Sequence, residues 1–259
     1  LTNLTNDNFD YTLSQILKNK ELINTKIGVS ILIRCFNDIV NFRPKNIETF
    51  VAFILFINKK EIKNSMFNLF NKKVVEIIHT KEKLTSSDLF YLRLLYNNEI
   101  FKIDSIINEI DLIINSKDEQ CISIRHTKEF INSRIDKVIK WFYFEIKESN
   151  NSLNNSSLFT EVIQKLSKYN EDSIKKMMNT GYGINTMAEI IRNDDIDSFI
   201  SIASREGTFF DMNQTINSTY YERCDLLIES PRLIEYAAFF NSIKIFKHLY
   251  LNKAYIETD

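Results

Sequence analysis

Apolar residues recur along most of this chain at the three- and four-residue spacing of an amphipathic helix. Phe50, Phe53, Ile54 and Ile57 lie at i, i+3, i+4 and i+7, and Ile103, Ile106, Ile107, Ile110, Ile113 and Ile114 keep the same rhythm. Ile131, Ile135, Val138, Ile139 and Phe142 form a further stripe flanked by Trp141 and Tyr143, which predicts a helix bulky on two sides. Polar N-cap candidates precede two of these runs: Asn46 with Thr49 three residues on, and Ser86–Asp88 before Leu89–Leu95. The pattern breaks at Glu148–Ser157, an Asn/Ser run without apolar anchors that reads as a mobile inter-helix loop. The loop predicts a division into an N-terminal helical region, 1–150, and a second region, 158–259. About six or seven antiparallel helices are expected before it. After it come a helix at Leu158–Tyr169, a short one at Glu171–Asn179, and then helix pairs.

Composition narrows the fold class. The 259 residues are 44% hydrophobic, enough to build one large core or a stack of small ones, so the chain is expected to fold. It contains four Gly and two Pro, far below the turn-residue content of sheet-rich folds. The expected architecture is all-α, arranged as a helical-repeat superhelix, or α-solenoid. Lys plus Arg number 33 against 34 Asp plus Glu, a net charge of -1, which gives no global attraction to nucleic acid or anionic membrane. No stretch approaches the roughly 18 apolar residues of a membrane span. The three widely spaced cysteines, Cys35, Cys121 and Cys224, read as reduced thiols of a cytoplasmic protein.

The C-terminal third carries a repeat. In Ser230–Glu257, Ala237–Ala238 supply the small pair that lets two helices approach. Ile243, Phe246, Leu249 and Tyr250 follow as an aliphatic and aromatic stripe after the turn at Asn241–Ser242. An earlier unit, Ile190–Ile200, aligns when Ile196 is set on Ile243, a spacing of 47 residues. The ankyrin period is about 33, and the excess falls in Gly207–Ser230, a connection of the kind that carries a binding finger. These residues, chiefly Asp194–Phe199, Leu233–Phe240, Ser242–Lys247 and Leu249–Asn252, resemble the degenerate ankyrin-repeat proteins of parasitic protozoa such as trichomonads. The resemblance covers about 182–257, with repeats at about 182–207 and 230–257. It departs from the ankyrin pattern at the repeat opening, where Arg232–Leu233–Ile234–Glu235 replaces Thr-Pro-Leu-His, and at the turn glycines, replaced by Asn241 and Lys253. Asn tolerates a left-handed turn and Lys does so poorly, so the final turn is expected to differ from the consensus. The resemblance implies an intracellular interaction scaffold with further repeats downstream, and no catalytic residues.

Candidate chemistry is sparse. His79, His126 and His248 form no H-x-x-x-H or H-E-x-x-H pattern, and Cys121 and His126 stand five apart, off a shared helical face. Asn193–Asp197 mimics the opening of a calcium loop, but Ser198 takes the glycine position and Ser204 that of the bidentate Glu. A turn with an N-cap is the better reading. Gly181–Tyr182–Gly183 lacks the Lys-Ser/Thr of a phosphate cradle and reads as a helix end or repeat boundary. No catalytic, metal-binding or cofactor-binding residues are assigned, and the chain is not expected to be an enzyme.

The leading expectation is a non-catalytic protein-protein interaction scaffold, with Phe209, Phe210, Tyr220 and Tyr221 in the long connection as candidate anchors. Against it stands their use as a cover for the groove between repeats. The alternative function is a nucleic-acid-binding surface around 59–83, where Lys59, Lys60, Lys63, Lys72, Lys73, Lys81 and Lys83 interleave with Phe67 and Phe70. The intermixed Glu48, Glu61, Glu76 and Glu82 favour plain solvated helix faces there.

Overall fold

The structure, a computed structural model, describes residues 6–42, 44–60, 84–115, 128–149, 152–217 and 219–255. These residues form an all-α protein: no β-strand occurs among them, only two isolated bridges. The chain divides into two compact units, Leu1–Asn179 and Thr180–Asp259.

In the first unit the described helices are α1 (Phe9–Lys18), α2 (Lys20–Asn24), α3 (Lys26–Phe42), α4 (Ile47–Lys60), α5 (Ser86–Asn97), α6 (Ile103–Asn115), α7 (Lys128–Trp141), α8 (Tyr143–Glu148), α9 (Ser157–Leu166) and α10 (Glu171–Thr180). Helix α5 is the organising element and packs on α3, α4 and α7. Nearly every residue from Ser86 to Leu95 is buried, its polar ones included. Such burial requires the polar groups to be satisfied internally. Thr85 and Asp88 form a reciprocal capping box: the Asp88 N–H donates to Thr85 Oγ1 at 3.1 Å, and the Thr85 N–H donates to Asp88 Oδ2 at 3.0 Å. Asn41 of α3 donates to the same carboxylate at 3.2 Å. The cap is therefore Thr85, and Ser86–Asp88 form the first turn.

Further along α5, Arg93 reaches Glu145 of α8 at 2.5 Å and lies over the rings of Tyr96 and Phe142. Trp141 and Phe142 are fully buried, and Trp141 packs on Phe90. This is the two-sided bulk expected of the 131–143 stripe. Helices α2 and α3 cross closely at Gly28, where a Cβ would fall 2.2 Å from the Glu21 carbonyl oxygen.

The boundary between units lies later than the Asn/Ser run suggests. Residues Ser152–Asn155 form a 3-10 turn whose Leu153 is buried, and α9 packs back on α7. Buried Leu153 thus fixes the 152–155 turn within the first unit.

The second unit contains α11 (Thr186–Arg192), α12 (Ile196–Glu206), α13 (Leu233–Phe240) and α14 (Ile243–Leu251). These form two helix hairpins, α11–α12 and α13–α14. The first helix of one packs on the first helix of the other, α11 on α13, and the second on the second, α12 on α14. One core holds them together, built from Ala188, Ile191, Phe199, Leu233, Ile234, Tyr236, Ala237, Ile245 and Leu249.

Candidate protein-binding site

The hairpin turns of the second unit repeat at the 47-residue spacing. In the first, the Asp194 and Asp195 N–H groups donate to the Ile191 and Ile190 carbonyls at 3.0 and 3.1 Å. In the second, Asn241 and Ser242 donate to Ala238 and Ala237 at 3.1 and 2.9 Å. Asp194 and Asn241 both sit at positive φ, 51° and 56°, which short polar side chains tolerate. The turn after α14 has the same form: Lys253 takes φ 62° and donates to the Tyr250 carbonyl, and Ala254 donates to that of Leu249. Lys253 thus takes the left-handed conformation that a lysine tolerates poorly, in a turn that matches the two before it. The hydrogen bonds that close the helix hold the lysine in the left-handed region despite its Cβ.

Side chains tie the hairpins together. The Asp194 carboxylate accepts from the Lys244 and Ile245 N–H groups, which open α14. Ser242 Oγ donates to the Ile191 carbonyl. Asp195 accepts from the Ser198 N–H at 3.1 Å, the N-cap role read in the sequence, and this contact with Ser198 holds its carboxyl below the ordinary range. At the start of α13 the Glu235 carboxylate accepts the Arg232 N–H at 2.8 Å, so Arg-Leu-Ile-Glu closes the helix end from within.

The long connection, 207–232, is fastened at several points. Ile216 donates to the Pro231 carbonyl, Leu233 to that of Gln214, and Arg223 to that of Gly181. An isolated antiparallel bridge pairs Tyr182 with Glu222. Gly183 allows this approach, because a Cβ there would overlap the Thr219 side chain. The Gly181–Tyr182–Gly183 cluster is therefore a helix end, with Gly181 at φ 72°, followed by a docking edge for the connection.

The four aromatic anchor candidates fall in different surroundings. Phe209 is 93% exposed. Phe210 is half-buried, edge-on to Phe199 at 5.7 Å. Tyr221 is fully buried, and the half-buried Tyr220 lies edge-on to it at 5.6 Å. The structure does not gather the four on one patch: Tyr221 belongs to the interior, and Phe209 alone projects freely, with Leu226 exposed further along the connection.

Beneath the connection lies a cluster that the sequence does not announce. The guanidiniums of Arg192 and Arg223 both lie against the Tyr182 ring, at 4.5 and 4.4 Å from its centre. Arg192 also donates to the Tyr236 hydroxyl at 2.7 Å. Glu222 is only 6% exposed, and its Oε1 accepts no hydrogen bond. Burial raises its carboxyl to about 8, while the positive charges of Arg192 and Arg223 pull the other way. Burial likewise pushes the Tyr236 hydroxyl up to about 12. No periodicity marks Arg192, Glu222 and Arg223 as neighbours, because the connection brings them together.

The α14 stripe read from the sequence divides in two. Leu249 turns inward with Ile245, whereas Ile243 and Tyr250 are 50% and 61% exposed. Phe246, half-buried, stacks on Tyr250.

His79, Cys121, His126 and residues 61–83 of the basic stretch lie outside the described residues. His248 is half-buried and packs edge-on against Phe199, a core contact. Cys35 and Cys224 are free thiols, Cys224 buried. Among the described residues no three His, Cys, Asp or Glu side chains are grouped to hold a metal, and no helix is long and apolar enough to cross a membrane. Comparison with protein-family models, with curated proteins and with solved structures finds no match for this chain.

Proposed function

We propose that this chain is a non-catalytic protein-protein interaction scaffold of ankyrin-repeat type, working inside the cell. The observation that carries this reading is the shared 47-residue register of the two hairpins, in which both turns make the same hydrogen bonds and like helices stack on like. Stacked units of this kind bury a continuous core and leave connections and helix faces for a partner. The resemblance of Leu233–Lys247 and Asp194–Phe199 to degenerate ankyrin repeats of parasitic protozoa agrees with that arrangement. Phe209 and Leu226, large apolar side chains displayed on a connection fastened at several points, are the anchors the reading favours.

The test is capture of proteins from lysate by the immobilised chain and by its Phe209→Ala/Leu226→Ala variant, each checked for unchanged helicity. Specific capture that the double variant loses is the expected result. Capture of the same proteins by both forms would remove the connection as the site, and specific capture of nothing would remove the scaffold reading.

A further inference from the structure

Residues 219–224 form a strap held between two pins. On one side the Ile216 N–H donates to the Pro231 carbonyl at 2.8 Å and the Leu233 N–H to that of Gln214 at 3.1 Å. On the other the Leu227 N–H donates to the Cys224 carbonyl, and both of these side chains are buried in the core of the second unit. Between the pins the Arg223 N–H donates to the Gly181 carbonyl at 2.8 Å, and the isolated bridge joins Glu222 to Tyr182. The fully buried Tyr221 is the apolar anchor of the strap. The surface beneath holds itself together by other contacts. Arg192 donates to the Tyr236 hydroxyl at 2.7 Å, and the Phe240 ring packs against those of Tyr182 and Tyr236, 5.6 and 4.7 Å between centres. A segment pinned at both ends over a floor that supports itself can open locally while the helices stay folded.

The strap carries one group at odds with its place. Glu222 is buried, and its Oε1 accepts no hydrogen bond. The charged and titratable groups around it are Arg192 of α11, Tyr236 of α13, Arg223 and Cys224 of the strap itself, and through Cys224 the neighbouring Asp225. Burial outweighs the two arginines and raises the carboxyl to about 8. The neutral acid fits the closed strap, whereas the carboxylate regains its hydration by leaving. The proton thus favours the closed form and its loss favours the open one. We infer that 219–224 is a pH-gated lid over the Tyr182–Arg192–Tyr236 surface, shut while Glu222 is protonated and released when it ionises. The Tyr221 anchor sets how much the lid resists opening, and Glu222 sets the pH at which it opens. Released, the lid bares a guanidinium and aromatic rings that the closed form covers. The gate needs no partner to operate, so it stands or falls separately from the scaffold reading.

Cys224, buried at the end of the lid, is the reporter. The whole chain carries Cys35→Ser and Cys121→Ser, which leaves Cys224 as its single thiol. Its rate of reaction with an aromatic disulfide reagent is measured from pH 6 to pH 8 and divided, at each pH, by the rate for the same chain unfolded in urea. This ratio removes the titration of the thiol in the unfolded chain and reports the fraction of lids open. A carboxyl that binds its proton more tightly in the closed form raises the open fraction at least about tenfold across this interval. Far-ultraviolet circular dichroism should stay constant meanwhile. In Glu222→Gln, checked for unchanged helicity, the ratio should stay within about twofold over the same range. A wild-type ratio independent of pH, or one that rises only as helicity falls, would overturn the inference. The same rise in Glu222→Gln would also overturn it, by assigning the gate to another group. The wild-type measurement decides the matter by itself where the variant fails to fold.

Discussion

The carboxylate of Asp194 accepts the backbone N–H of Ile245 at 3.1 Å, so a residue in the turn of one hairpin caps the second helix of the next. The first N–H groups of a helix have no intrahelical partners, and a charged acceptor there is favourable both as a hydrogen bond and against the helix dipole. Replacing Asp194 by Ala should destabilise the second unit by about 1–2 kcal/mol. Amide hydrogen exchange across 243–251 should rise, with exchange in α5 unchanged. Asp194→Asn keeps an acceptor oxygen and the tolerance for positive φ, and should lose less. Uniform acceleration of exchange in both units by Asp194→Ala would contradict this assignment.

Lys253 stands at φ 62° without the freedom of glycine. The left-handed conformation costs a residue with a Cβ roughly 1–2 kcal/mol, a relief partly offset when glycine is introduced because it gains entropy in the unfolded chain. Lys253→Gly should therefore raise the stability of the second unit by about 0.5–1 kcal/mol, read as a higher denaturation midpoint. Asn241→Gly, at φ 56°, should change it by less, because Asn already tolerates the region. A lower midpoint for Lys253→Gly would show that the lysine side chain contributes more than its backbone strain costs.

How much of this was legible follows from where the information sits. The helices of the second unit were readable because spacing governs them: Ile196 and Ile243 align at 47 residues, and the turns preceding them make the same bonds. The unit boundary was not, because Leu153 within the polar run is buried, and one apolar residue generates no period. Separating Leu249 from Tyr250 also lay beyond pattern reading. The two are adjacent on α14, and which one turns inward depends on the position of α12 beneath them. In the sequence Tyr221 looks displayed, as an aromatic residue in a long connection. The fastening of Arg223 to Gly181 and the bridge from Glu222 to Tyr182 draw that segment inward instead.

Gly183 admits Thr219 into the space a side chain would occupy. Gly183→Ala should push the 219–223 segment off its docking edge and cost about 1–3 kcal/mol. Exposure of the Glu222 and Arg223 amides to exchange would report the displacement. Combining Gly183→Ala with Thr219→Gly removes the opposing side chain and should recover part of the loss. A double variant no better than the single one would show that the overlap is with backbone rather than with Thr219.

Glu222 gives the second unit a pH dependence whose sign follows from its burial. Its carboxyl is raised from 4.5 to about 8, with burial outweighing the attraction of Arg192 and Arg223, so the folded state binds the proton more tightly than the unfolded state does. The associated stability is fully present below pH 4.5 and is lost progressively as pH rises through about 8. The neutral acid tolerates the buried site, whereas the carboxylate must give up its hydration there with Oε1 accepting no hydrogen bond. Hydrogen exchange at 219–224, corrected for the intrinsic pH dependence of exchange, should accelerate between pH 6 and pH 9, with α14 following at higher pH. Glu222→Gln, which is neutral throughout, should flatten the profile and hold the connection in place at pH 9. An identical profile in the variant would mean that some other group controls the loosening. Retention of Glu222 docking through pH 9 in the wild type would mean that the positive charges of Arg192 and Arg223 offset the burial of the carboxylate.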